Sequence, residues 1–270
     1  MLTCQLLCIN PQNMLLTLFD LPSHFQIDWF SWLLAGLAIF TLGISKSGLK
    51  GISIIIVTLL ALVFGSKPST GILLPWLLIG DTCAVIYYNR HTQWRYLKKL
   101  LPAMMVGVVI GTWVGKDLPE KLFKQMMAVI ILATVLMMYW WSRKKDKKVP
   151  DRWWFAILMG LMAGFTTMIG NLAGTFTNLF FLAMRLPKNH FIGTAAWLFF
   201  IINLFKLPFH IFAWHTITWD TLKLNILLMP FVLLGFVVGI RLIRAIKDQY
   251  YRRLILILTG IGAIIILFKQ

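Results

Sequence analysis

The stretch Gly43-Ile-Ser-Lys-Ser-Gly-Leu-Lys-Gly51 places three glycines, two serines and two lysines between two apolar runs. The runs cover about residues 29–42 and 52–64, and each is shorter than the roughly 20 apolar residues that a helix needs to cross a membrane. Non-helical backbone persists at membrane depth only where it is buried in protein or lines a wet cavity. The stretch therefore predicts a broken or re-entrant helix.

A second interruption of the same kind lies in the other half of the chain. It reads Thr166-Thr-Met-Ile-Gly-Asn-Leu-Ala-Gly174 and separates short apolar runs at about 153–168 and 172–186. Interrupted hydrophobic segments at corresponding places in two halves are the sequence pattern that indicates the binding site of a secondary transporter.

The rest of the chain is equally apolar. Of its 270 residues, 59% are hydrophobic and 13% are charged, which predicts an all-α polytopic membrane protein. A net charge of +17 alone would fit a nucleic-acid-binding protein, but such proteins are polar, so no nucleic-acid partner is expected. Three cysteines are too few for a secreted disulfide scaffold. Longer apolar runs occupy about 70–89, 98–115, 122–142, 190–212, 222–243 and 250–268.

The two halves match each other at several ordered positions, which indicates an internal duplication. Gly48 matches Gly170 and Asp81 matches Asn203, both at an offset of 122 residues. At slightly larger offsets, Trp94, Leu97 and Lys98 match Trp219, Leu222 and Lys223, and Pro102, Gly107 and Gly111 match Pro230, Gly235 and Gly239. Internal repeats of this kind are common in secondary transporters.

The distribution of Lys and Arg favours one of two topologies. Counting each interrupted pair as two segments gives about ten segments, five per half, with 17 Lys and Arg on one side and 6 on the other. Counting each pair as one interrupted crossing splits these residues nearly evenly. Because basic loops stay in the cytoplasm, the uneven split favours two inverted five-segment repeats in the inner membrane, with both termini outside.

This topology divides the chain into four parts. Residues 1–26 contain no Lys or Arg, so they lack the basic region of a signal peptide and are interpreted as an interfacial segment. The first repeat covers 27–142, a basic cytoplasmic linker covers 143–152, and the second repeat covers 153–270.

Four ionisable residues remain at membrane depth, and each is a functional hypothesis because such groups cost roughly 2.5–3.5 kcal/mol on insertion scales. They are Lys46, Lys50, Asp81 and Lys206. The alternative for the lysines is snorkelling to the interface. The alternative for Asp81 is a structural ion pair with Lys46 or Lys206.

The balance of these groups favours an anion over a cation, because lysines at depth outnumber carboxylates. Hydroxyl and amide groups supply further donors, and the ends of broken helices supply free N–H groups. The neutral candidates are Ser45, Ser47, Thr166, Thr167, Asn171, Asn178 and Asn203, together with Gly48 and Gly170 at the breaks. His210 and His215 lack a third metal ligand, so neither a metal nor a cofactor is expected.

Together these motifs resemble the TauE/SafE sulfite exporter family, also called the 4-toluene sulfonate uptake permeases. The likeness covers about residues 30–268. Besides the first break, it rests on Leu74-Pro75, on Asp81 followed by Tyr87-Tyr88-Asn89-Arg90-His91, on Gly164-Phe-Thr-Thr-Met-Ile-Gly-Asn171, on Met184-Arg-Leu-Pro-Lys-Asn189 and on Phe199-Phe-Ile-Ile-Asn-Leu-Phe-Lys-Leu-Pro208. The sequence departs from the family at Lys50 and Thr175, where relatives often have proline.

The resemblance implies transport of a small sulfur-containing oxyanion, such as sulfite or an organosulfonate. With the residues above, it predicts that Ser45, Lys46 and Ser47 face Thr166, Thr167 and Asn171 across the repeat axis. Asp81 and Lys206, with Asn203, would couple the site to protons or to gating. A passive anion channel and a polytopic membrane enzyme or assembly factor are the alternatives. The expected partners are the anion, the lipid bilayer and protons, and a homodimer stays open.

Overall fold

The structure is a computed structural model that describes residues 29–49, 52–143, 153–247, 250–251 and 254. All regular structure in these residues is helical. The helices are α1 (Trp29–Lys46), α2 (Ser53–Phe64), α3 (Ser66–Tyr88), α4 (Trp94–Lys116), α5 (Glu120–Arg143), α6 (Trp153–Gly170), α7 (Ala173–Ala183), α8 (Lys188–Pro208) and α9 (Trp219–Ala245). A 3-10 turn, Asn89–His91, extends α3, and a π-helical turn, Phe209–Ala213, extends α8.

The all-helical expectation is confirmed, and the first nine predicted apolar runs each coincide with a helix. Within the described residues, six helices are long and apolar enough to cross a membrane, namely α1, α3 and α8 with their extensions, α4, α6 and α9. The apolar helices α2 and α7 have only 12 and 11 residues, which corresponds to about 18 Å, little more than half of a hydrocarbon core. The segment 1–26, most of the linker 143–152 and most of the run 250–268 lie outside the described residues.

The apolar runs at about 29–42 and 153–168 are too short to span a membrane, but the helices that contain them are long enough. Helices α1 and α6 each contain 18 residues, because the polar residues at the start of each interruption continue the helix. These residues are buried in protein, so the helix satisfies their backbone groups while their side chains find partners inside the bundle. The first break therefore begins at Ser47 rather than at Gly43, and the second narrows to Asn171 and Leu172.

A left-handed backbone conformation follows both of these helices. Gly48, two residues after α1, has φ +134°, and Asn171, directly after α6, has φ +55°. The N–H of Asn171 donates to the carbonyl of Thr167 at 3.0 Å, which is the hydrogen bond of an αL helix cap. Glycine and asparagine are the residues that tolerate this conformation best, so the sequence itself stops the two helices here.

Two tight helix pairs hold the bundle together through glycines. Helix α1 packs against α9, where a methyl group at Gly43 or Gly235 would collide with backbone of the partner helix. Helix α4 packs against α6, where the same holds for Gly107 and Gly164. Small residues let helix backbones approach closely in membranes. Gly107 and Gly111 of α4 therefore pack inside the bundle, against α6.

Helices α3 and α8 pack against each other in the core of the bundle. Trp76 of α3 and Leu198 of α8 are fully buried, as is Ile202 one turn further along α8. The same two helices carry the ionisable residues Asp81 and Lys206, which are also 0% exposed. Their packing places both charges deep inside the protein.

Candidate functional site

The two breaks meet at one cavity of about 40 Å³. At about 10–15 Å³ per water, this cavity holds about three water molecules or an ion of similar size. Its lining comes from α1, α2, α3, α6, α7 and α8, so both halves of the chain contribute. The polar lining residues are Ser45, Lys46, Ser53, Thr167, Asn171, Asn178 and Asn203, and the apolar ones include Leu42, Ile56, Val57, Leu73, Leu77 and Phe199.

The last residue of α1, Lys46, is neutralised by a carboxylate. Its Nζ lies 2.6 Å from Oδ1 of Asp81, and both side chains are buried. The other carboxylate oxygen accepts a hydrogen bond from Nδ2 of Asn203 at 2.8 Å. Gly80 makes room for the lysine, since a Cβ there would lie 2.8 Å from Cγ of Lys46. The charge of Lys46 is thus balanced, and both oxygens of Asp81 have a partner.

The second buried lysine, Lys206, is hydrogen-bonded to neutral side chains, whereas Lys46 has a carboxylate partner. Its Nζ donates to Oδ1 of Asn171 at 2.5 Å and approaches Oγ1 of Thr167 at 3.4 Å. Within the described residues, no carboxylate forms an ion pair with it. Because Lys206 is 0% exposed, it does not snorkel to the interface, and burial penalises its charged form.

The two hydrogen-bond acceptors of Lys206 also line the cavity, so the ammonium group of Lys206 lies close to the cavity. Nδ2 of Asn171 donates to the carbonyl of Thr70 at 3.2 Å, which fixes the orientation of the amide. Oγ1 of Thr167 accepts from Lys206, so its own hydroxyl proton remains for another acceptor. The positive charge therefore stands directly behind two side chains of the cavity wall.

Two helix N-termini begin at the cavity. Ser53 opens α2 and Ala173 opens α7, and both residues line the cavity. The residues before them, Ile52 and Leu172, have apolar side chains and form no side-chain cap. First-turn N–H groups have no partner within their own helix, and they carry the positive end of the helix dipole. Uncapped N-termini of this kind attract anions.

One amide at the cavity lacks a partner. Asn178, in the second turn of α7, is 1% exposed, and its Oδ1 makes no hydrogen bond within the described structure. Buried side-chain amides are normally hydrogen-bonded, because an unpaired one keeps its desolvation penalty. Since amide oxygen and nitrogen are assigned from their hydrogen bonds, this end of Asn178 is a polar group available to a molecule in the cavity.

The structure sorts the residues predicted from the sequence into two groups. Ser47 and Thr166 turn away from the cavity, and each donates its hydroxyl to a backbone carbonyl of its own helix or helix end, at 2.8 and 2.7 Å. The carbonyl of Gly48 accepts a hydrogen bond from the hydroxyl of Tyr251 at 2.6 Å. The predicted residues that line the cavity are Ser45, Lys46, Thr167, Asn171, Asn178 and Asn203. Asp81 and Lys206 are hydrogen-bonded to lining residues. Ser47, Gly48, Thr166 and Gly170 are absent from the lining.

Sequence reasoning missed three contributors. Ser53 lies directly after the first break, and its hydroxyl oxygen is 3.4 Å from that of Ser45, so its position next to the break was an available signal. Gly80 contributes by leaving room for Lys46, and its position directly before the buried Asp81 was a weaker sequence signal. Thr70 contributes through its backbone carbonyl, for which a sequence carries no signal. The predicted residue Lys50 lies outside the described residues.

The balance of charge decides what this arrangement can hold. Among the described residues, the group contains two lysines and one carboxylate, and the carboxylate is paired with Lys46, so Lys206 has no ion-pair partner. In the same part of the chain, no cluster of three or more His, Cys, Asp or Glu residues is placed to hold a metal ion. The chemistry of the donors, which are N–H and O–H groups around an excess cation, suits an anion.

Membrane-crossing helices around a charged interior, with two short helices starting at its centre, define a multi-pass membrane protein of the transport class. The chain belongs to the family described as sulfite exporter TauE/SafE, whose model matches residues 16–266. The resemblance seen in the sequence is confirmed by this match. No match was found among curated proteins or among solved structures.

Proposed function

We propose that the protein is a secondary transporter that moves a small sulfur-containing oxyanion, sulfite or an organosulfonate, across the cytoplasmic membrane by alternating access. The anion binds in the cavity between the two breaks. A volume of about three water molecules matches an oxyanion of four heavy atoms such as sulfite, whereas an organosulfonate requires the cavity to widen.

The observation that carries this proposal is the uncompensated Lys206. A buried cation without a counter-ion is unfavourable, and an anion in the adjacent cavity would supply the missing charge. The hydroxyl of Thr167 and the uncapped N-terminus of α7 then donate to the anion. The main binding charge is therefore assigned to Lys206, and Lys46 is the secondary cation. In the sequence-based prediction, Lys46 bound the anion and Lys206 took part in coupling.

The ion pair of Lys46 and Asp81 is the proposed coupling element. In the observed state, the carboxylate holds Lys46 and Asn203 together across the two halves of the chain. A proton on Asp81 would weaken both contacts and release Lys46 toward the anion. Protonation would then favour the loaded state, which is how a proton gradient drives such a carrier.

The contact pattern supports two inverted repeats of five segments. The sequence matches pair Gly107 of α4 with Gly235 of α9. Gly107 packs on α6 and Gly235 packs on α1, so the equivalent residues contact equivalent helices of opposite halves. The matched residues Asp81 and Asn203 are hydrogen-bonded to each other, as expected for a pair that lies on the axis relating the repeats.

The orientation follows from the positive-inside rule and has a direct test. Single cysteines replace Lys147 in the basic linker and Lys121 at the start of α5, in a background without the native cysteines. We expect Lys147→Cys to react with a membrane-impermeant thiol reagent only from the cytoplasm and Lys121→Cys only from the outside. Reaction of both from one side would overturn the inverted topology.

Binding is tested with a panel of sulfite, a short alkylsulfonate, sulfate and chloride on the purified protein, read as thermal stabilisation. A ligand at about 100 times its Kd stabilises the folded state by about 2.7 kcal/mol. We expect sulfite or the sulfonate to stabilise the wild type and the Lys124→Gln control, in which an exposed lysine is removed. Equal responses to all four anions would contradict a specific site.

Transport distinguishes the carrier from a passive channel. In vesicles with an imposed pH gradient, a carrier saturates with substrate and concentrates the anion, whereas a channel only dissipates its gradient. Uptake that never exceeds equilibrium under any pH gradient, with the anion gradient and voltage controlled, would favour the channel.

A further inference from the structure

A second cavity lies at the end of the bundle where the carboxyl ends of α3 and α9 meet the amino end of α8. It has a volume of about 340 Å³, within the range of roughly 300–1,000 Å³ that is typical of small-molecule sites. Its lining residues are Tyr87, Tyr88, His91, Lys188, Asn189, Ile243 and Arg244. None of them contributes to the cavity at the two breaks.

The lining of this second cavity is positively charged and rich in donors. It includes the cations Lys188 and Arg244 and no carboxylate among its described lining residues. Nε of Arg244 donates to the hydroxyl oxygen of Tyr87 at 2.9 Å, and Nη2 of Arg244 donates to the same oxygen. A guanidinium has five N–H donors, so three remain, and the Tyr87 hydroxyl that accepts both bonds keeps its own proton for another acceptor.

Besides Arg244 and Tyr87, the ring of His91 has a nitrogen available at this cavity. Nδ1 of His91 is buried and makes no hydrogen bond within the described structure. Two of the three helix ends here are carboxyl ends, whose carbonyls attract cations, and this explains why basic residues are found there. The attraction to helix carbonyls does not provide partners for the remaining donors of Arg244 and Tyr87 or for the ring nitrogen of His91.

The surroundings place the cavity at the membrane surface. Tyr87 is 41% exposed and Trp94, at the start of α4, is 47% exposed. Aromatic side chains of this kind are enriched at the level of lipid headgroups. A basic pocket between helix ends at this level is the type of site that holds anionic headgroups.

We propose that this cavity binds a phosphate group, with Arg244 as the main ligand and Tyr87, Lys188 and His91 around it. A planar guanidinium matches phosphate oxygens in two parallel hydrogen bonds, and this favours phosphate chemistry over a single halide ion. The phosphate belongs either to an anionic membrane lipid or to a soluble phosphate. The site is independent of the transported anion.

The test compares the delipidated full-length protein in neutral phosphatidylcholine nanodiscs with and without phosphatidylglycerol, and separately with inorganic phosphate or chloride at equal ionic strength. Binding is read by native mass spectrometry and by the melting temperature. Stabilisation by phosphatidylglycerol alone identifies a lipid headgroup, and stabilisation by inorganic phosphate identifies a soluble ligand. Absence of both effects overturns the proposal.

Arg244→Gln and the matched control Arg241→Gln each remove one exposed arginine from the same helix, but only Arg244 lines the cavity. We expect Arg244→Gln to weaken phosphate or phosphatidylglycerol binding about tenfold relative to the control. Arg244→Lys, which keeps the charge without the planar fork, and Tyr87→Phe should each give a smaller loss. Equal losses in Arg244→Gln and Arg241→Gln would show general surface attraction and would contradict a site. If Arg244→Gln does not fold, unchanged binding in both Arg244→Lys and Tyr87→Phe overturns the proposal.

Discussion

A buried lysine lies beside each of the two breaks, Lys46 at the end of α1 and Lys206 near the end of α8, and the two lysines differ in what balances their charge. Lys46 at the first break is held by the carboxylate of Asp81 at 2.6 Å. Lys206 of α8, next to the second break, is held by the amide oxygen of Asn171 and, more weakly, by a hydroxyl. A paired buried charge is neutralised in the empty protein, whereas an unpaired buried charge lowers the stability of the empty protein and is available to a ligand. Burial at membrane depth therefore does not by itself identify a binding residue, because the presence or absence of a counter-charge decides.

The largest expected effect comes from breaking the pair at the first break. Asp81→Asn leaves Lys46 buried without a counter-charge, and we expect a loss of about 3–5 kcal/mol in the free energy of unfolding. The measurement is the unfolding transition in detergent without anion. The double variant Lys46→Met/Asp81→Leu removes both charges and should recover most of the loss. Normal stability of Asp81→Asn with a flattened pH dependence of transport would instead mark Asp81 as a proton carrier with little structural role.

The second lysine should show the opposite behaviour. Lys206→Met removes a desolvated cation and keeps a similar volume, so we expect stability without anion to be unchanged or higher. The affinity for the oxyanion should fall by about 10- to 150-fold, the equivalent of about 1.5–3 kcal/mol for hydrogen bonds to a charged group. The same thermal-shift panel measures both quantities.

The matched change at the first break completes this test. Lys46→Met should weaken anion affinity less than Lys206→Met does. The reverse order would return the main binding role to Lys46, as the sequence pattern predicts.

The glycine contacts test whether the two halves are equivalent. Gly43→Ala in α1 and Gly164→Ala in α6 each place a methyl group against backbone of the partner helix, and we expect each to lower stability by about 1–3 kcal/mol. Gly36→Ala in α1 is the control, because its Cβ would have no neighbour nearer than 3.7 Å and alanine favours helix. Strongly unequal losses at Gly43 and Gly164 would count against a repeat relation.

The smallest effect concerns single hydroxyls at the two breaks. Thr167→Val keeps the shape of the side chain but removes the hydroxyl between Lys206 and the cavity, and we expect about 2- to 10-fold weaker anion binding. Ser45→Ala, the counterpart at the first break, should change affinity less than twofold. Equal losses at both positions, measured by titration with sulfite, would show that the breaks contribute equally.

Hydrophobic length and charge were sufficient to predict the helices and the class of protein. The nine helices in the part of the chain that the structure describes coincide with apolar runs, because a membrane-exposed backbone has to satisfy its hydrogen bonds within each segment. The exact position of each break was less predictable. Ser45, Lys46, Thr166 and Thr167 read as polar interruptions, yet they continue their helices, since burial in protein gives their side chains partners that a linear pattern does not show.

The residues of the candidate site were predictable by type but not by role. Lysine, aspartate and asparagine at membrane depth stand out in any sequence, and Asp81, Asn203 and Lys206 do lie together in the structure. Which lysine takes the carboxylate depends on how α3 faces α1 and α8, a matter of helix rotation that composition and spacing do not contain. The contribution of the Thr70 carbonyl was invisible for the same reason.

The hydrogen bond from Tyr251 to the carbonyl of Gly48 joins residues 203 positions apart, and it bears on how the chain assembles during synthesis. Helix α1 also takes α9 as its close partner, whereas α6 packs on α4, which is already made when α6 emerges. At about 5–20 residues per second, the first break waits about 10–40 s for its final partners. The second break can therefore close first, and the first break, which carries the Lys46–Asp81 pair, completes its contacts only after Tyr251 has been synthesised. A nascent chain arrested before α9 should accordingly hold a formed second break beside an open first one.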